Sequence, residues 1–141
     1  MLRKTCLLVA SLFLVHLAAH AENIKDALNH KYKKQVLALR SPFTHGTQKF
    51  DSQGQSMGAP PKGPWLLYGG IYIENLNLSP DTLSLEGPRA GFNGEKKGKP
   101  VAIPLGKAVH VEIHLDQPLK SADEAEAVLN RVFFLEGDRS T

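Results

Sequence analysis

Apolar residues in this chain fall into three rhythms: one nearly unbroken run, two stretches at helical spacing, and several that alternate with polar residues. The first of these, continuous but for Ser11 and His16, extends from Cys6 to Ala19 behind a basic start at Arg3 and Lys4. It closes on Ala19-His20-Ala21, which predicts a secretory signal peptide over residues 1–21 cleaved before Glu22. The run is shorter than the roughly 20 residues that span a bilayer, so no membrane anchor is expected after cleavage. Helical spacing first occurs between Glu22 and Lys33, where Ile24, Ala27, Leu28 and Lys31 share a face and Asn23 is a candidate N-cap. It returns after Pro118: Ser121 and Glu124 form a capping box, and Ala125, Val128, Leu129, Val132 and Phe133 form a stripe, predicting a helix from Ala122 to Leu135.

Between these helices the pattern is that of strands. Val36-Leu37-Ala38-Leu39 is an apolar strand halted by Ser41-Pro42, since proline restrains its predecessor and has no ladder donor. Thr47 to Phe50 is a second strand, followed by a turn at Asp51-Ser52-Gln53-Gly54, and Gly58 to Pro64 is a loop. Trp65 to Leu78 is the longest strand-like region; its Gly69-Gly70 pair and a slip of phase near Glu74 predict a bend. Ser79-Pro80-Asp81 turns into a strand carrying Leu83 and Leu85. Asn93-Gly94 suits a hairpin, but Glu95 to Pro100 is so polar that the whole stretch is expected to be an exposed loop. Val109, Val111, Ile113 and Leu115 then alternate with His110, Glu112 and His114, predicting one buried and one wet face. Together these elements predict an α+β fold: a mainly antiparallel curled sheet or small barrel of five or six strands, with an N-terminal and a C-terminal helix.

Composition changes this picture in one respect. Of 141 residues, 120 follow the cleavage site, enough for a single β-rich domain over 22–141. The chain's one cysteine, Cys6, leaves with the signal peptide, so a periplasmic or secreted domain is expected to hold without disulfides and without thiol chemistry. Arg3 and Lys4 leave as well, so 15 basic residues face 14 acidic ones. That balance offers nothing to a nucleic acid.

Candidate chemistry is sparse. His110, Glu112 and His114 lie on one strand face and can be read as a metal site, the alternative being an ordinary wet face. Ser56, in Gly54-Gln55-Ser56-Met57-Gly58, resembles a nucleophile elbow through its glycine spacing alone, and Asp51, Glu74, Glu86 and Glu112 could include a carboxylate pair, although scattered surface carboxylates are the commoner case. Lys96, Lys97 and Lys99 are candidates for contact with a polyanion or a membrane surface. Trp65, Tyr68 and Tyr72 are candidates for a ligand platform. No cofactor is implied. The expectation is a non-enzymatic accessory or recognition module that binds a protein or an envelope component. A small metal-dependent enzyme or metal carrier on the His110, Glu112 and His114 face is the alternative.

Residues from Tyr32 to about Phe134 also resemble the domain at the N-terminus of TonB-family proteins of Acidobacteria. The likeness is carried by Leu37-x-Leu39-Arg40, Phe50-Asp51-Ser52-Gln53-Gly54, Gly63-Pro64-Trp65, Leu85-Glu86-Gly87-Pro88-Arg89, the strand from Val109 to Leu115 and the acid-capped last helix. In such proteins the domain precedes a linker and a C-terminal segment that contacts outer-membrane transporters. The sequence reaches Thr141 without either. The resemblance therefore implies an envelope location and an accessory role, and leaves energy transduction out of the expectation.

Overall fold

Helical spacing and strand alternation each produce the expected kind of element, and one ion pair links the two helices. A computed structural model describes residues 19–44, 46–58, 62 and 69–135. In chain order these form α1 (residues 19–32), β1 (Val36–Leu39), β2 (Thr47–Phe50), β3 (Gly70–Tyr72), β4 (Asn75–Leu78), β5 (Thr82–Lys96), β6 (Lys99–His114), α2 (Ala122–Val132) and β7 (Phe133–Phe134). The expected signal peptide, residues 1–21, lies outside the described residues except for Ala19-His20-Ala21, which are helical. Asn23 is thus inside a helix already under way and does not cap it.

In α1, Ile24, Leu28 and Tyr32 recur every fourth residue and are buried, while Lys31 on the next position reaches Glu126 of α2 at 2.7 Å. Asn29 donates to the Leu76 carbonyl at 3.1 Å, tying α1 to β4. At the start of α2 the Glu124 N–H donates to Ser121 Oγ at 3.1 Å, and Glu124 Oε2 accepts from the Lys120 N–H at 2.7 Å, so the expected cap forms. Ala125, Val128, Leu129 and Val132 are buried. The helix stops at Val132 rather than Leu135, and Phe133, still fully buried, belongs to β7.

The sheet runs β2-β6-β5-β3-β1-β7, with β4 also paired to β5. It is open, with β2 and β7 at its ends, so of the two expected forms the barrel is not the one adopted. It is also mixed, because β2 runs parallel to β6 while the other pairings are antiparallel. The core lies between the helices and the sheet face carrying Leu37, Leu39, Phe50, Ile71, Leu76, Leu83, Leu85, Val109, Val111 and Ile113. The bend expected near Glu74 is present: β3 and β4 are two pieces of one path, both paired to β5 and separated by Ile73 and Glu74. Gly87 of β5 sits under this kink, where a Cβ would overlap the Tyr72 carbonyl oxygen.

The largest departure from expectation is the stretch from Asn93 to Pro100. It is no loop. β5 and β6 run as one long antiparallel hairpin whose two-residue turn is Lys97-Gly98, both at positive φ (54° and 74°). That pair of angles matches the right-handed twist of the flanking strands, so a hairpin closes here although no Asn-Gly is present. Gly94, at φ 66°, is instead used in a bulge between Phe92 and Glu95.

Candidate functional site

Two surfaces carry the residues singled out by the sequence: the sheet face turned away from the helices, and the far half of the β5–β6 hairpin. On the first, pairing places Thr47 beside His110 and Lys49 beside Glu112, while Glu86 and Ser84 of β5 stand opposite His110 and Glu112. The alternation expected for β6 holds, with Val109, Val111 and Ile113 buried and His110, Glu112 and His114 on the wet side. Ionisable side chains neighbour one another on this face: between strands, Lys49 Nζ is 3.9 Å from Glu112 Oε2 and His110 Nδ1 is 3.8 Å from Glu86 Oε2, and within β6 His114 Nε2 is 3.9 Å from Glu112 Oε2. Cross-strand pairs of this kind suit a solvated sheet surface.

The same geometry bears on metal binding. Alternate side chains on a strand stand roughly 6–7 Å apart, whereas zinc ligands lie about 2.0–2.3 Å from one ion. Among the described residues no group of three or more His, Cys, Asp or Glu side chains is placed to hold a metal ion. His110, Glu112 and His114 share a face without converging on a point.

For the aromatic platform, Tyr72 is half-buried on β3, paired with Val36 of β1. Trp65 and Tyr68 lie outside the described residues. A shallow depression of about 190 Å³ lies between the β2 turn and α2, lined in part by Ser52, Asp116, Glu124 and Arg131. Its polar groups serve each other: Ser52 Oγ donates to Asp116 at 2.6 Å, and Arg131 donates to the Ser52 carbonyl at 2.7 Å. This joins the turn to the helix and leaves little to recruit a ligand.

The hairpin is different. Beyond Arg89, which pairs with Ile71 of β3, β5 and β6 continue, two-stranded among the described residues, as an arm about 20 Å long at 3.4 Å per residue. Arg89 closes the core at the base of this arm, stacked 4.6 Å over the Phe43 ring and donating to the Phe43 carbonyl. None of the described side chains from Ala90 to Ala108 belongs to the hydrophobic core. Lys96, Lys97 and Lys99 are exposed at the tip. Because β6 is regular from Lys99 to Leu105, Val101, Ile103 and Leu105 share a face with Lys99 and its partner Lys96. Val101 is 37% and Leu105 48% exposed, two of the four large apolar residues exposed to this degree among those described. The sequence pattern Lys-x-Val-x-Ile-x-Leu carried this signal, obscured by the polar stretch from Glu95 to Pro100, which predicted a loop.

Compared with family models, with curated proteins and with solved structures, the chain matches none. The likeness to the TonB-family domain is therefore carried by the quoted motifs alone.

Proposed function

We propose that this chain is a non-enzymatic binding module of the cell envelope, and that it engages its partner through the β5–β6 arm. One observation carries the reading: a long hairpin stands outside the core and presents lysines and apolar side chains to solvent on one face. An arm that contributes nothing to the core is costly to keep exposed unless something covers it. The polar sheet face, by contrast, sets Lys49 beside Glu112 and His110 beside Glu86 across strands. Support for the envelope comes from the basic start, the apolar run and Ala19-His20-Ala21, together with the TonB-family likeness. No helix among the described residues is long and apolar enough to cross a membrane.

The test is to replace residues 92–102 by a two-residue Asn-Gly turn and to follow association of the protein with isolated envelope fractions. The shortened protein is expected to melt within a few degrees of the parent and to lose association. Equal association of the two forms at equal stability would remove the arm from the function.

A further inference from the structure

Resting on that reading, we infer that the envelope component met by the arm is the anionic surface of a lipid bilayer, on which the ribbon lies flat at head-group depth. Charge is the first reason. From Ala90 to Ala108 the arm holds Lys96, Lys97, Lys99 and Lys107 against the single acid Glu95, in a chain whose charges otherwise nearly cancel. Apolar area in register with that charge is the second. Lys96 and Lys99 end the row that continues as Val101, Ile103 and Leu105, so a surface that takes the lysines at its phosphates also meets three aliphatic side chains. Gly91 on the facing strand lets Leu105 lie over the ribbon; a Cβ there would come within 2.5 Å of Leu105 Cδ1. The face is therefore low and broad, suited to a flat surface rather than to a pocket.

The backbone sets the depth. A two-stranded ribbon leaves backbone polar groups that hydrocarbon cannot satisfy, so the arm rests in the hydrated interface and does not span. Pro100 and Pro104 supply no N–H, which makes the ribbon a poor template for an added strand from a protein partner. A soluble polyanion would use the lysines and ignore Val101 and Leu105.

Vesicle co-sedimentation of the full chain separates these cases, any contribution of the apolar leader being common to every variant. Vesicles of equal parts phosphatidylglycerol and phosphatidylcholine are expected to bind the protein, pure phosphatidylcholine to bind it poorly, and added salt to weaken binding. Changing Lys96, Lys97 and Lys99 together to Gln should weaken binding roughly 100-fold. Val101→Ser with Leu105→Ser should weaken it about tenfold. A Lys→Arg triple variant should bind as the parent does, and all variants should keep the parent melting temperature. Binding that ignores both sets of changes would overturn the inference. Loss with the Gln variant but none with the Ser variant, accompanied by competition from polyphosphate, would overturn it in favour of an anionic polymer. Arm-dependent association with envelope fractions without binding to mixed vesicles would overturn the lipid assignment and leave the binding-module reading standing.

Discussion

Tyr32 and Lys31 are adjacent on α1 and respond to alkali in the same direction for different reasons. Burial raises the Tyr32 phenol above its ordinary 10.0, with the nearby Glu126 carboxylate adding to the effect. The hydrogen bond to Glu126 raises Lys31 above 10.5. Each group holds its proton more tightly in the folded than in the unfolded protein. Their contribution to stability is therefore complete below pH 10.0 and is lost as pH rises through the folded values. Melting temperature is expected to fall above about pH 10, and Tyr32→Phe should make the fall shallower. Identical alkaline slopes for Tyr32→Phe and the parent in thermal melts would show that the phenol is not one source of it.

The elements differ in how openly the sequence announces them. β1 and β2 occupy the expected residues because each is a short apolar or alternating run bounded by proline or by a glycine turn. α2 begins where Ser121 and Glu124 predict, since a cap is a local device. Its end was hidden because Phe133 continues the helical stripe and yet pairs with β1, a contact between residues far apart in sequence. The arm was hidden for the opposite reason: its pairing is local, closed by the Lys97-Gly98 turn, but its lysines, glycines and prolines have the composition of a loop. Trp65 and Tyr68, proposed from sequence as a platform, lie outside the described residues, while the exposed Val101 and Leu105 were missed. The kink between β3 and β4 was legible as a phase slip, but its dependence on Gly87 was not. Any side chain at Gly87 meets the Tyr72 backbone, which a rotamer change cannot relieve. Gly87→Ala is expected to cost about 3 kcal/mol, read as a lower urea midpoint; a change within 0.5 kcal/mol, the size usual for surface sites, would show that the kink is free to move.

In the whole molecule, stability depends on a closure at one end of the sheet. β1 is held between β3 and β7, with Ala38 opposite Phe134 and Leu39 opposite Phe133. Arg40 fastens the same corner: its Nε donates to the Asn130 and Phe133 carbonyls at 2.7 and 3.1 Å, and its guanidinium stacks 4.2 Å over Phe134. Phe133→Ala removes a fully buried ring at this joint and should cost about 3–5 kcal/mol, with hydrogen exchange quickening in β1 as well as in β7. Faster exchange confined to β7 would show that the two ends of the chain are not coupled.

That closure has a consequence for the order in which the chain folds. Among the described elements β1 is the first strand and β7 the last, so β1 gains its outer neighbour only when the strands between them are available. Pairings this distant are slow to form. A strand completed by one so far along the chain locks late, after the β5–β6 hairpin between them has closed.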